Sequence, residues 1–355
     1  MKENNFMIDL FSGCGGLSFG FEKAGFNCLI GVDIDQAALN TFSYNHKNSK
    51  ALNLDLSKEE SIDVIIKELG NKKIDLIVAG PPCQGFSLTG RREENDERNK
   101  LFYSVFKLAE RTQPNYIVIE NVPGIATLYK GRARNAILKE FKRLNYTVSE
   151  KLIYAPEYGV PQIRRRMFFV GVKEAKPFVF PEPTHKEEDY VTCEQAIGDL
   201  PSLENGLGAE QSDYIAPPMS DYQKNMRINS SKLMNHVGTK HTEHVVSVIK
   251  QVPEGGNYKD LPEGVGESRR FNEAWTRYHS QKPSRTIDTG HRNHFHYRWN
   301  RVPTARENAR LQSFPDDFVF KGTKTQQYKQ IGNAVPPLLG LILGKKLLEY
   351  GKNIK

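Results

Sequence analysis

Cys83 lies in Gly80-Pro81-Pro82-Cys83-Gln84-Gly85-Phe86-Ser87, directly after the apolar run Ile74-Asp75-Leu76-Ile77-Val78-Ala79. The run reads as a buried strand. A thiol at the carboxyl end of a buried parallel strand faces the crevice where α/β proteins bind ligands. Pro81 and Pro82 fix φ and stiffen the approach to it. Such a thiol is placed for nucleophilic use, although buried cysteines also serve as inert packing. Three carboxylates share this setting. Asp9 precedes the glycine-rich turn Phe11-Ser12-Gly13-Cys14-Gly15-Gly16, Asp33 ends Gly31-Val32-Asp33, and Asp55 follows Ala51-Leu52-Asn53-Leu54. Glycines let a backbone approach a ligand closely. Ser18 stands where a dinucleotide fingerprint needs its third glycine, and Asp9 suits a cationic amine or sulfonium better than a pyrophosphate. Asp33 could accept hydrogen bonds from ribose hydroxyls, and Asp55 one from an exocyclic amine. Glu120, in Glu120-Asn121-Val122, could protonate or hydrogen-bond a ring nitrogen. Each also admits a plainer role: a tight turn, a helix cap or a solvated carboxylate.

The elements that must position these groups alternate along the first 150 or so residues. Strands are predicted over 6–11, 28–32, 51–54, 74–79 and 116–119, with helices over 17–24, 36–44, 57–69, 101–110 and 132–144. Ser57 and Glu60 have capping-box spacing. Such alternation implies a parallel, doubly wound sheet, which brings Asp9, Asp33, Asp55, Cys83 and Glu120 to one edge. Residues 147–154 and 166–172 could be closing strands. In Gln162-Ile163-Arg164-Arg165-Arg166, strand alternation would set Gln162, Arg164 and Arg166 on one face, where two arginines suit phosphate or base contacts. Prolines then punctuate a stretch without helix-strand alternation, from about 185 to 300. Thr304-Ala305-Arg306-Glu307 restores a capping-box spacing, and an apolar run after Pro337 predicts a final helix that packs back on the first domain.

At 355 residues with a formal charge of +8, the chain can hold two domains and weakly favours a polyanionic partner. Cys14, Cys28, Cys83 and Cys193 show no paired spacing, so a disulfide framework is not expected and a reducing cytoplasm fits best. No signal peptide and no membrane-spanning run is expected. The segment Lys282 to Arg310 holds one lysine and six arginines with Phe295, Tyr297 and Trp299 interleaved, a pattern that suits a nucleic-acid groove. His291, His294 and His296 match no common zinc spacing, and no metal is expected.

In order along the chain stand Asp9-Leu10-Phe11-Ser12-Gly13, Pro81-Pro82-Cys83-Gln84, Glu120-Asn121-Val122 and Gln162-x-Arg164-x-Arg166. They are followed by Arg306-Glu307-x-x-Arg310-Leu311-Gln312-Ser313-Phe314-Pro315 and Gln330-Ile331-Gly332-Asn333-Ala334-Val335. This series resembles the DNA (cytosine-5)-methyltransferases of prokaryotic restriction-modification type, over nearly the whole chain. The resemblance implies an S-adenosylmethionine-dependent methyltransferase sheet formed by residues 1–185 and 325–355, with an irregular target-recognition domain and hinge over 186–324. It implies a cofactor site of Asp9, Phe11, Ser12, Gly13, Gly15, Gly16, Asp33, Ile34, Asp55, Leu56, Pro82, Asn333 and Ala334. Phe11 would stack on the adenine, and the turn Gly13 to Gly16 would hold the methionine part. Cys83 would add to carbon 6 of a flipped-out cytosine, with Glu120 on ring nitrogen 3 and Arg164 and Arg166 assisting. The segment Gln84 to Lys100 resembles the family's catalytic loop. Implied partners are duplex DNA and, functionally, a restriction endonuclease, for a monomeric protein. An RNA cytosine-5 methyltransferase of the same fold is the alternative, and Ser87 fits the DNA type better.

Overall fold

The structure, a computed structural model, describes residues 5–82, 100–128, 130–174, 176–267, 274–290 and 292–354. Strands and helices alternate from the start: β1 (Phe6–Leu10), α1 (Gly16–Ala24), β2 (Asn27–Asp33), α2 (Gln36–Asn45), β3 (Lys50–Asn53), α3 (Glu60–Leu69) and β4 (Leu76–Ala79). They continue as α4 (Lys100–Thr112), β5 (Tyr116–Asn121), α5 (Arg132–Arg143), β6 (Tyr146–Tyr154) and β7 (Arg165–Lys173). The seven strands form one sheet in the order β3-β2-β1-β4-β5-β7-β6. β1 to β5 run parallel, and β7 lies antiparallel between β5 and β6. Every residue of β4 is buried, as are Ile117, Val118 and Ile119 of β5, which is why these strands read as unbroken apolar runs. The doubly wound α/β class expected from the alternation is the one observed, with its closing strands in place.

Strand order reverses between β1 and β4. In open α/β sheets the crevice for ligands lies outside the carboxyl ends of the strands at such a switch point. The turns leaving β1 and β4 flank it, and they are the turns that carry Phe11 to Gly16 and Gly80 to Pro82. A backbone hydrogen bond from Gly80 N to Leu10 O (3.3 Å) ties the two strand ends together.

The chain divides into two compact units. One comprises Met1–Tyr154, Arg165–Glu182 and Leu339–Lys355, and the other Ala155–Arg164 and Pro183–Leu338. Relative to the expected boundaries, residues 155–164, 183–185 and 325–338 fall with the second unit. Its regular elements are short: α6 (Cys193–Ile197), β8 (Gln211–Ser212), α7 (Asp221–Arg227), β9 (Leu233–Met234), α8 (Glu243–Gln251), β10 (Thr276–Arg277), β11 (His294–Phe295), α9 (Ala305–Leu311) and α10 (Lys324–Asn333). Thr304 and Glu307 form the expected capping box at the start of α9.

The last helix, α11 (Pro337–Ile354), returns to the first unit. There it packs on α1 so closely that a Cβ at Gly340 would lie 2.5 Å from Leu17 O, and one at Gly344 2.7 Å from Ala24 Cβ. Taken together, α10 and α11 give one stretch, Lys324–Asn353, with the length and mean hydropathy (1.2) of a membrane span. Over half of its apolar window is buried inside the protein (56%), and Leu339, Leu343 and Leu347 face the core at 2%, 1% and 0% exposure.

Three sequence expectations need correction. The capping box at Ser57 does not form: α3 starts at Glu60, and Ser57 Oγ donates instead to Asp55 Oδ1 (2.7 Å), a nearer and charged acceptor. β7 begins at Arg165, so Gln162 and Arg164 precede the strand; Arg164 donates to the carbonyls of Gly332 and Ala334, whereas Arg166 binds Glu120. The third concerns the basic segment. Arg301, Arg306 and Arg310 are 7%, 0% and 0% exposed, and Phe295 and Tyr297 are buried with them. Arg301 forks onto Glu307 (2.8 and 2.7 Å), and Arg310 bridges Asp316 (2.9 and 2.7 Å) and Asp199 (2.6 Å). These arginines build an internal ionic lattice in the second unit and are not open to a polyanion. Lys282, Arg285 and Arg298 stay exposed.

Candidate active site

The turn after β1 is shaped by backbone strain and by two carboxylates. Phe11 takes φ 59 and Gly13 and Gly15 take φ 54 and 92, so three residues of the turn occupy the left-handed region. Such a conformation at a non-glycine residue marks functional loops. Ser12 N donates to Val32 O (2.9 Å) and Gly13 N to Asp33 Oδ2 (2.8 Å), while Asp33 Oδ1 accepts from Asp35 N (2.8 Å). The carboxylate of Asp33 thus clamps the turn to the end of β2. The two glycines differ in what they require. A Cβ at Gly15 would collide with His46 Nε2 at 2.1 Å, whereas one at Gly13 would meet nothing within 4 Å. Gly15 is fixed by internal packing, and Gly13 opens outward.

Asp9 is 2% exposed, one residue before the end of β1. Burial pushes its carboxyl up to about 7, and the neighbouring Asp33 and Glu22 add to the shift against hydrogen bonds from Ser18. Asp33 is also raised, chiefly by burial. Asp55 is lowered by its hydrogen bonds from Ser57 and follows β3 by two residues. Leu56 beside it is buried, while Ile34 next to Asp33 is 68% exposed, an apolar side chain left open at the sheet edge. Pro82 is exposed and Pro81 buried.

Glu120, near the end of β5, receives Arg166 of β7 (Nε to Oε1, 2.8 Å). The register explains the contact: Glu120 pairs with Phe168, and Arg166 stands two residues along on the same face. On its other side, a Cβ built at Gly80 would lie 3.4 Å from Glu120 Oε2. The carboxylate therefore sits between Arg166 and the start of the Pro81-Pro82 turn. Asn121 straps that turn: its Nδ2 donates to Pro81 O (3.0 Å) and its Oδ1 accepts from Val122 N (2.9 Å). Cys83 and residues 84–99 lie outside the described residues. Cys14, Cys28 and Cys193 are buried, and burial raises all three thiols, Cys14 to about 12. None of these three is primed as a thiolate.

A family model for C-5 cytosine-specific DNA methylases matches residues 6–349. The chain belongs to that family. Among proteins similar to this methylase is the type II methyltransferase M.DdeI of Desulfomicrobium norvegicum, 37% identical over 98% of this chain and 89% of its own length. The type II methyltransferase M1.HphI of Haemophilus parahaemolyticus is 38% identical over 98% of this chain and 87% of its own. A crystal structure of a candidate DNA modification methyltransferase encoded within an E. coli prophage matches with TM-score 0.76 and 31% identity, over 98% of this chain and 99% of that one. The S. pombe Dnmt2 methyltransferase, at 18% identity and TM-score 0.60, shares the fold. This methylase is a DNA cytosine-5 methyltransferase, and the RNA alternative is not favoured.

Methyltransferases of this family and fold imply use of S-adenosylmethionine in general. The residues at the switch point fit such a group. Asp9 Oδ2 and Ser12 Oγ are buried without a hydrogen-bond partner among the described residues, and buried polar atoms are rarely left so unless a ligand or water completes them. Together with the open face of Gly13 and the exposed Ile34, they offer polar and apolar contacts to a cationic, partly apolar molecule.

Other residues expected at the site from the sequence stand in the second unit. Arg164 is 1% exposed, and its Nη2 donates to Gly332 O (3.1 Å) and Ala334 O (2.9 Å). Gln312 Nε2 also donates to Ala334 O (2.5 Å). Arg164 thus fixes the end of α10, where Asn333 is exposed. Sequence reasoning read Asn121 only as part of a motif, and it passed over His46 altogether, because a histidine just past a helix carries no local signal.

Proposed function

We propose that the chain transfers a methyl group from S-adenosylmethionine to carbon 5 of a flipped-out cytosine in a specific duplex DNA sequence, through a covalent adduct on Cys83. The observation that carries this reading is the placement of Glu120, bonded to Arg166 and adjoining Gly80, three residues before Cys83 in the sequence. Carbon 5 of cytosine is a poor nucleophile. When the Cys83 thiolate forms a bond to carbon 6, the ring electrons move to carbon 5 and give it enamine character. Glu120, as the protonated acid, donates a hydrogen bond to ring nitrogen 3 as negative charge builds there, and Arg166 holds the Glu120 carboxyl in place. S-adenosylmethionine supplies the electrophilic methyl group. A base then takes the proton from carbon 5, the carbon 6–sulfur bond breaks, and Cys83 leaves as thiolate. The target cytosine must leave the duplex stack for this, at a cost of about a few kcal/mol.

Asp9, Ser12 and the Gly13 to Gly16 turn would hold the methionine part, Asp33 the ribose hydroxyls and Asp55 the adenine amine. Phe11, Ile34, Leu56 and Pro82 would line the site. Arg164 acts in this reading as a positioning residue for Asn333 and Ala334. Residues 186–324 are the target-recognition domain in this proposal, with Arg285 and Arg298 among their exposed cations. The protein is proposed to be a cytoplasmic monomer that protects host DNA against a partner restriction endonuclease. Its relatives' naming as type II methyltransferases supports that setting.

The test is transfer of labelled methyl from S-adenosylmethionine to mixed-sequence duplex DNA and, separately, to transfer RNA. Label recovered as 5-methylcytosine in DNA is expected. Label confined to RNA, or absent from every cytosine-containing duplex, overturns the reading.

A further inference from the structure

His46 follows α2 and is 2% exposed. Its ring stacks on Phe42 (4.1 Å between centroids, 16° between planes) and meets Phe19 edge-on (6.0 Å). Nδ1 lies 2.6 Å from Glu22 Oε2 of α1, and Nε2 lies 3.2 Å from the carbonyl oxygen of Gly15. Carbonyl and carboxylate oxygens only accept, so each of these contacts needs a proton of its own. Whichever atom of the His46–Glu22 contact holds the first proton, Nε2 must hold the second and donate it to Gly15 O. The bond that Nδ1 makes thereby sets what Nε2 can do.

Gly15 O also accepts from Phe19 N (2.9 Å) and from Ser18 Oγ (3.2 Å). Ser18 is hydrogen-bonded to the Asp9 carboxyl as well. A hydroxyl has one proton and cannot give it to both acceptors. When Asp9 is ionised opposite a cationic ligand, Ser18 turns its proton to Asp9 and releases Gly15 O. His46 is then the side chain that still holds this carbonyl.

We infer that His46 is a positioning residue for the cofactor: its Nε2–H pins the Gly15 carbonyl and keeps the Gly13 to Gly16 turn in its ligand-binding form while Ser18 serves Asp9. The inference rests on the S-adenosylmethionine reading above. Two variants separate the His46 contacts. In His46→Gln the amide nitrogen reaches roughly where Nε2 lies, and in His46→Asn it reaches only where Nδ1 lies. S-adenosylhomocysteine affinity, measured by titration calorimetry, is expected to fall about tenfold in His46→Asn, as for one lost hydrogen bond, and to stay within about threefold of wild type in His46→Gln. Amide hydrogen exchange of Gly13 and Gly15, measured without ligand above about pH 7, where Asp9 is ionised, is expected to speed up by about tenfold in His46→Asn alone. A merely structural role would weaken both variants alike, in step with Tm. Equal behaviour of the two variants in both measurements overturns the inference. Failure of the wild-type protein to bind S-adenosylhomocysteine overturns the cofactor reading instead, and the exchange measurement still decides whether His46 holds the turn.

Discussion

Cys83→Ser is expected to lose methyl transfer by at least about 10⁴-fold, because a hydroxyl lacks both the acidity and the nucleophilicity that a thiolate brings to addition at carbon 6. Duplex DNA and cofactor binding should stay within a few-fold of wild type, since serine is nearly isosteric and removes no charge that either ligand needs. Single-turnover transfer measured beside equilibrium binding separates the two quantities. A Cys83→Ser protein with near-normal transfer would remove the nucleophile from the mechanism. The three buried cysteines give no alternative, because burial raises each of their thiols away from the ionised form.

The second large effect concerns Asp9. Its carboxyl stands at about 7 in the folded chain against an ordinary 3.8, chiefly because it is buried. Between those values the folded protein keeps a proton that the unfolded chain has released. The stability this group supports is therefore complete below about pH 4 and is lost as pH rises through about 7. At pH 8 the ionised group costs on the order of 4 kcal/mol. Asp9→Asn removes most of that cost, so Tm of the unliganded protein should rise by roughly 5 °C at pH 8 and change little at pH 4. Cofactor affinity should move the other way, falling about a hundredfold, because a buried carboxylate facing a cationic ligand is lost. Wild-type affinity should also weaken as pH drops below about 7, where the ligand must displace a proton from Asp9, and this pH dependence should vanish in Asp9→Asn. Calorimetry and thermal melts across pH check both. An Asp9→Asn protein that binds S-adenosylhomocysteine as tightly as wild type would assign Asp9 a structural role only.

What could be read from residue order was what local physics decides. The alternation of apolar runs and helical periods revealed the α/β sheet, and Thr304 with Glu307 formed the capping box their spacing implied, since both partners lie within one turn. Ser57 has the same spacing to Glu60, but the Asp55 carboxylate two residues back competes for its hydroxyl and wins. The insertion of β7 between β5 and β6 depends on pairing across more than forty residues, such as Ile119 with Phe169, and no local pattern encodes it. Arg310 looked like part of a surface for polyanions because its partner Asp199 lies 111 residues away. Burial of a charge is decided by such distant partners, so composition alone could not separate an ionic core from a binding groove. Arg164 and Arg166 were paired by alternation, but their partners differ: Arg164 holds the carbonyls of Gly332 and Ala334, more than 160 residues away, and Arg166 holds Glu120.

The most direct measurement of the central claim uses duplex DNA in which 5-fluorocytosine replaces cytosine. Fluorine on carbon 5 cannot leave as a cation, so once the methyl group is transferred the proton-abstraction step is blocked and the carbon 6–sulfur bond persists. Incubation with S-adenosylmethionine, followed by proteolysis and mass spectrometry, is expected to yield a protein–DNA adduct on the peptide that holds Cys83, dependent on the cofactor and absent from Cys83→Ser. An adduct on another residue, or methyl transfer to normal duplexes with no adduct on fluorinated ones, would contradict covalent catalysis by Cys83.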